Sequence, residues 1–442
     1  MKTPESDTLH SDSNQGAPGG VSRPVRLAYV VSHPIQYQVP LLRRIAAEPD
    51  IDLTVFYGSD ASIKGYKDSG FGGVEVKWDV PLLGGYKHEF LPPLRDTGTE
   101  GTFSPISRSF SSRLMREGKP AFDALWVHGY ATTNQMRAIL SAKALGIPVL
   151  VRAESWLRDR PRSGLKLTAK TLYFRALGKA IDAVLYNGTL NRQYWEHYLG
   201  PDFPSFPMPY AVDNDFFQQR SREAAAGQSE LRTELGLEPG RPVILFASKL
   251  QTRKHCNDLI EAYTHLSPAP GMEPDPYLII VGDGEERVAL ERQAEATGLR
   301  SIRFCGFRNQ SELPRFFDLA SVFVLPSRNE AWGLIVNEVM NAARPVIITD
   351  DCGCAVDLVT NGVEGYVYPV RDVAALVGAL RRVFARPEAA REMGLRALGR
   401  INQWGFEQDV AGLKAALAHV TRLHPSPQSA SATSIPADGV RG

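Results

Sequence analysis

Cysteine, charge imbalance and long apolar runs are what this sequence has least of, and each scarcity excludes something. Only four cysteines occur in 442 residues: Cys256, Cys305, Cys352 and Cys354. They are too few and too scattered for a disulfide framework, so a reducing, cytoplasmic setting is expected. Lysine and arginine total 50 against 49 for aspartate and glutamate, a net charge of +1. A chain so balanced has no overall pull toward nucleic acid, and any basic contact has to be local. Nowhere does an apolar run approach the roughly 18 residues that a membrane-spanning helix needs. The opening stretch 1–24 is polar and rich in Gly and Ser, with no apolar core behind its charges, so neither a signal peptide nor an anchor is read there.

What is present is a long alternation of two patterns. At this length two domains are expected rather than one core. Short apolar runs of buried-strand length occupy 26–31, 51–57, 124–128, 149–152 and 183–186, with helical patterns such as 136–145 and 165–177 between them. The series then restarts at 243–247, 277–281, 302–304, 322–325 and 346–349, each run followed by a helical stretch. Two successive βαβ series imply an α/β protein of two Rossmann-like, doubly wound parallel-sheet domains facing across a cleft. The division expected is a disordered tail over 1–24, a first domain over 25–216 and a second over 217–400. A C-terminal helix at 406–423, within 401–423, and a disordered tail over 424–442 complete it. The plainest reading of that helix packs it on its own domain.

The segment 326–338, Pro-Ser-Arg-Asn-Glu-Ala-Trp-Gly-Leu-Ile-Val-Asn-Glu, is the most informative in the chain. Gly333 punctuates a turn, and from Leu334 an apolar helix runs toward Arg344-Pro345, which ends it. Glu330 then sits at the mouth of the helix and Glu338 about two turns deeper, roughly 12 Å along the axis. Between them lie the free amides of the first turn, suited to an anion. Hydroxyls, phosphate and hydroxyls in a row describe a nucleotide sugar. Lys249, Arg253 and Lys254 follow the strand 243–247, where a parallel strand's carboxyl end meets the crevice. Alone they would read as a solvated basic loop; beside the Glu330 segment they read as phosphate ligands.

The second half resembles the donor domain of retaining glycosyltransferase family four (glycosyl transferases group 1), which has the GT-B fold. The resemblance rests on Ser248-Lys249-Leu250, Lys254, Val281-Gly282-Asp283-Gly284, Gly306-Phe307, Pro326-Ser327, Glu330, Gly333-Leu334, Glu338 and Pro345-Val346-Ile347, in order over most of 240–370. Pro209-Tyr210-Ala211-Val212-Asp213 is similar to the family's interdomain segment. The resemblance implies that Glu330 contacts donor-sugar hydroxyls and that Glu338 accepts hydrogen bonds from the ribose. Lys249, where the family usually has arginine, and Lys254 neutralise the diphosphate. Gly333, Leu334 and Ile335 hold phosphate at the helix start, and Phe307 and Arg308 fall where the chain meets the nucleobase. It further implies retention of anomeric configuration, with no cofactor and no essential metal. Asp213-Asn214-Asp215 is accordingly read as structural, and Cys352-Gly353-Cys354 as thiols in a glycine loop where the family has Gly-Gly.

The first half fits the family less closely. Its opening loop is Ser32-His33-Pro34-Ile35-Gln36-Tyr37, a form that some bacterial members share. His33, His128 and Glu154 all follow predicted strands, and are candidates for the cleft or the acceptor. Glu154 stands where many relatives carry a histidine. An aromatic, Gly-rich insertion containing Phe71, Trp78 and Tyr86 is assigned to the acceptor. The basic stretch 152–179 leaves two readings open, a solvated face or a contact with anionic membrane or a diphosphate-linked acceptor. The activity expected is hexosyl transfer from a nucleotide sugar, a UDP- or GDP-sugar foremost, to a hydroxyl of a carbohydrate or lipid-linked acceptor in surface polysaccharide, glycolipid or glycoconjugate synthesis. A sugar-nucleotide epimerase and a non-catalytic binding module are the alternatives.

Overall fold

The computed structural model describes residues 23–96, 101–108, 110–160, 162–266 and 275–423. The tails expected over 1–24 and 424–442 lie outside the described residues, apart from 23 and 24. The first sheet has seven strands, in the order Ser205–Pro207, Ala183–Tyr186, Val149–Arg152, Ala124–His128, Val25–Val31, Ile51–Tyr57 and Lys87–Phe90. The second has six: Ile302–Phe304, Tyr277–Val281, Val243–Ala247, Val322–Leu325, Val346–Thr349 and Gly365–Tyr368. All of these pairings are parallel. Val149–Arg152, Val243–Ala247 and Tyr277–Val281 are buried at every position. That continuous burial is what helices on both faces of a sheet demand, and it is why these strands read as unbroken apolar runs.

In each sheet the strand order reverses beside the first strand of its series. Val25–Val31 lies between Ala124–His128 and Ile51–Tyr57, and Val243–Ala247 lies between Tyr277–Val281 and Val322–Leu325. The loops leaving such a strand splay apart and open a crevice at its carboxyl end. Ten strands fall where the apolar runs predict them. The three others lie at sheet edges, where one flank is unpaired and the sequence is free to be polar. Lys87–Phe90 exposes Lys87 and His88, Ser205–Pro207 ends in proline, and Gly365–Tyr368 begins with glycine.

The chain crosses between domains twice. Met208 belongs to the core of the first domain, whereas Tyr210 and Val212 belong to that of the second. Asp213 accepts a hydrogen bond from the Phe216 amide at 3.0 Å and so caps the helix Asn214–Ala226. Phe217 on that helix is buried in the second core, which places the crossing a few residues before the expected boundary at 216. The capping role also accounts for Asp213 in structural terms. The return crossing corrects a sequence expectation. Helix Phe406–Leu423 packs not on its own domain but on the first, where Val410, Leu413, Leu417 and Val420 complete the core. Its amphipathic pattern encodes a buried face, and nothing local encodes which sheet supplies the partner.

Candidate active site

The loops at the carboxyl ends of the second sheet meet the first domain in a cleft of about 260 Å³. Nine residues singled out from the sequence line it: Glu330, Lys254, Lys249, Glu338, Gly333, Leu334, Ile335, Phe307 and Arg308. The 330 loop is fixed from behind by the loop after Val346–Thr349. The Glu330 amide donates to the Asp351 carbonyl at 3.0 Å, and the Gly353 amide donates to the Glu330 carbonyl at 3.0 Å. A Cβ on Gly353 would lie 2.0 Å from the Ala331 carbonyl oxygen, so only glycine permits this approach. Cys352 and Cys354 flank it as buried free thiols, their sulfurs 3.5 Å apart. Gly333 starts the helix Leu334–Met340 with φ of 94°, a left-handed conformation that turns the chain out of the loop. The helix stops at Met340, short of Arg344-Pro345. Asn341 takes over there, its side-chain amide bonding the Asn337 carbonyl at 3.0 Å and the Asn214 side chain at 2.8 Å.

The two glutamates of the cleft differ in their electrostatic surroundings. Lys254 is only 6% exposed and donates to Glu330 Oε2, which also accepts from Arg253 Nη1 at 3.0 Å. Burial alone would raise the Glu330 pKa, but Lys254 and then Arg253 outweigh it and hold the carboxyl below its ordinary value. Glu330 is therefore an anion clamped between two cations. Glu338 is its opposite. Its Oε2 is sealed from solvent with no hydrogen-bond partner among the described residues, and burial pushes its pKa up to about 8. A carboxyl so placed is an acceptor awaiting donors, and ribose hydroxyls are donors of the right kind.

The first domain reaches over this cleft with the aromatic insertion read from the sequence, joined by Asp68. Asp68 Oδ2 lies 2.9 Å from Lys249 Nζ, and the Phe71 ring sits under the same ammonium at 4.7 Å. Phe71 also meets Phe307 edge to face at 4.9 Å. Farther along, Asn309 donates to the Lys77 carbonyl at 2.7 Å, and Ser311 hydrogen-bonds Asp79. Phe71 and Trp78 thus line the same cleft as the donor motifs, while Tyr86 is a core residue bonded to Tyr57 at 2.7 Å.

His33, His128 and Glu154 are not among the residues lining the cleft. His128 and Glu154 do meet, with 3.4 Å between Nε2 and Oε1. Tyr37 donates to Glu154 at 3.2 Å, and Gln38 hydrogen-bonds the His128 ring. Burial would raise Glu154, but His128 outweighs it and holds the carboxyl below its usual range. His33 Nδ1 lies 3.0 Å from Ser32 Oγ. These groups form a polar cluster at the carboxyl ends of the first sheet, beside Tyr210 of the crossing segment, whose ring meets Tyr37 at 5.3 Å. Of the residues lining the cleft, sequence reasoning gave no role to Gln36, Gln310 or Leu313. Arg253 had a legible signal, being adjacent to Lys254 after a strand end. Asp68 had none, because its contact spans 181 positions.

The comparisons with known proteins agree with this geometry. The family model for glycosyl transferases group 1 matches residues 227–399. A glycogen synthase of Mycobacterium tuberculosis is 32% identical over 289 residues, covering 60% of this chain and 68% of the relative. The alpha-D-kanosaminyltransferase of Streptomyces kanamyceticus is 26% identical over 265 residues, 58% of this chain and 67% of the relative. A D-inositol 3-phosphate glycosyltransferase of Streptomyces bingchenggensis, 29% identical over 210 residues, is matched over only 45% of either chain. Among solved structures, a glycosyltransferase from Rickettsia africae superposes with a TM-score of 0.69 at 14% identity, covering 91% of this chain and 100% of that one. The Anabaena protein HepE in complex with UDP-glucose does so at 0.62 and 16%, covering 90% and 100%. With the donor motifs assembled at one cleft between two Rossmann-like sheets, the chain belongs to the glycosyl transferases group 1 family and has its GT-B fold.

Proposed function

We propose that this protein is a retaining glycosyltransferase that moves a hexosyl group from a nucleoside diphosphate sugar to a hydroxyl of a carbohydrate or lipid-linked acceptor. The observation that carries the reading is the contrast between the two glutamates. Glu330, its pKa held below the ordinary value by Lys254 and Arg253, serves as an anion at the sugar end, and Glu338 is an unsatisfied acceptor at the ribose end. Lys254, Arg253 and Lys249 stand on the leaving-group side, with the first-turn amides of Leu334 and Ile335 in the cleft wall. When the anomeric C–O bond breaks, the diphosphate gains negative charge and the ring gains positive charge. Prepositioned cations stabilise the first and the Glu330 carboxylate faces the second, without reorganisation at the moment of reaction. UDP- and GDP-sugars are the donors to try first, since a solved structural neighbour holds UDP-glucose and a relative from Mycolicibacterium smegmatis is named GDP-mannose-dependent.

The test is a thermal-shift screen with UDP-, GDP-, ADP- and dTDP-sugars, followed by product analysis with the stabilising donor. A donor at 100 times its Kd adds about 2.7 kcal/mol of stability. Products should keep the anomeric configuration of the donor. Conversion of the donor to another sugar nucleotide with no acceptor present would instead favour an epimerase.

Glu338 supplies a second expected result. With its pKa near 8 in the free protein, Glu338 carries a proton at pH 7. Two ribose hydroxyls favour the charged form, so UDP binding at pH 7 should release about one proton. Calorimetry in buffers of different ionisation enthalpy measures that number directly. Glu338→Gln should abolish the release and weaken UDP binding by about 10- to 100-fold, the worth of hydrogen bonds to a charged group.

A further inference from the structure

We propose that the outward face of the helix Gly164–Leu177, with the basic loop preceding it, docks the protein on an anionic membrane surface beside the mouth of the cleft. The docking is read without any sugar in view; only its purpose, presenting a lipid-linked acceptor, rests on the function proposed above.

The helix has a buried side and an apolar exposed side, which a helix serving only its own domain does not need. Phe174 and Leu177 are buried against the domain. On the other side Leu165, Ala169, Leu172 and Ala176 are all exposed, at the i, i+4, i+7, i+11 spacing that forms one stripe. Leu165 is 82% exposed and Leu172 59%. Leu157 in the preceding loop and Leu167 on another side of the helix are exposed as well, so four of the eleven most exposed large apolar side chains among the described residues fall within 157–172. Residues 163–169 are exposed all round, which makes the start of the helix a convex knob.

The charge around the stripe has one sign. Arg158, Arg160, Lys166, Arg175 and Lys179 are exposed, and no ion pair involving any of them is found among the described residues. The two acids of the stretch are committed elsewhere, Asp159 to Arg162 at 2.8 Å and Glu154 to His128. A convex apolar knob ringed by unpaired cations suits a deformable, negatively charged interface, where leucines enter the acyl boundary and cations meet headgroups. A protein partner would need a matching groove. The patch also adjoins the reaction site. Asn329, next to Glu330, donates to the Arg158 carbonyl at 2.7 Å, so the loop that precedes the helix touches the segment that carries Glu330.

The full chain is tested by co-sedimentation with vesicles of phosphatidylcholine alone or with phosphatidylglycerol. Binding is expected only to the anionic vesicles and should fall as salt rises. Leu165→Ser with Leu172→Ser should weaken it about tenfold or more. Lys166→Ser and Arg175→Ser should each weaken it about fivefold. The thermal midpoint and UDP binding of these variants should match the wild type; UDP binding on the same samples tests the donor reading separately. Equal binding to neutral vesicles, no binding to either, or binding indifferent to the leucines would overturn the proposal. So would a concentration-dependent dimer that the leucine pair abolishes, because the knob would then seat a second copy of this chain.

Discussion

Lys254→Ala is expected to lower kcat for sugar transfer by about 100- to 1000-fold, equivalent to about 3–4 kcal/mol of transition-state stabilisation. The size follows from where the ammonium lies. It is 6% exposed and bonded to Glu330, so its charge acts in a site from which most water is excluded. Its loss strikes twice: the developing diphosphate charge loses a cation, and Glu330 keeps only Arg253, which is itself half exposed. With less positive charge beside it, Glu330 should titrate higher, and the acid limb of the pH–rate profile should move up with it. Lys254→Arg keeps the charge and should recover part of the rate. Steady-state kinetics over a pH series measures both effects. Unaltered kcat in Lys254→Ala would remove this lysine from the chemistry.

The second large effect belongs to stability rather than rate. Asp409 is 0% exposed on the C-terminal helix, and neither carboxyl oxygen has a hydrogen-bond partner among the described residues. Burial raises its pKa to about 8, although Arg152, 3.6 Å away, draws it down. In the unfolded chain an aspartate titrates near about 3.9. The fold therefore holds a proton that the unfolded chain gives up. The associated stability is complete below about pH 4 and is lost as pH rises through about 8. Urea unfolding at pH 5, 7 and 9 should show the loss, on the order of 4 kcal/mol from this group at the alkaline end. Asp409→Asn should flatten the profile, removing about 1.5 kcal/mol of this loss at pH 5 and most of it at pH 9. Arg152→Met should steepen it, since the attraction that favours the charged form is gone. A wild-type profile that stays flat from pH 5 to 9 would contradict the assignment.

The sequence showed buried strands well because a strand covered on both faces has to be apolar throughout. Val243–Ala247 and Tyr277–Val281 therefore announce themselves, and Lys87–Phe90, at an edge, does not. The donor side of the cleft was legible for a related reason. Its groups sit on loops at the ends of those strands, so order along the chain foretells neighbourhood in space. Contacts made across the cleft carry no such signal. The Asp68–Lys249 pair, the Phe71–Phe307 contact and the destination of helix Phe406–Leu423 depend on how two separately wound units face each other. Arg253 is the intermediate case, legible as a cation beside Lys254, while its bond to Glu330 appears only in the fold.

The two crossings between domains converge on one atom. The Tyr210 carbonyl accepts from the Trp404 indole at 3.2 Å and from the Asn337 side chain at 2.9 Å, and Trp404 stacks on Trp332 at 5.5 Å. Two bodies joined by a single tether can swing about two axes and twist about a third. Joined by two tethers bonded to each other, they give up much of that freedom. Asn337 and Trp332 neighbour Glu338 and Glu330 in sequence, so the segment that carries the two glutamates is also the one to which both crossings are fastened.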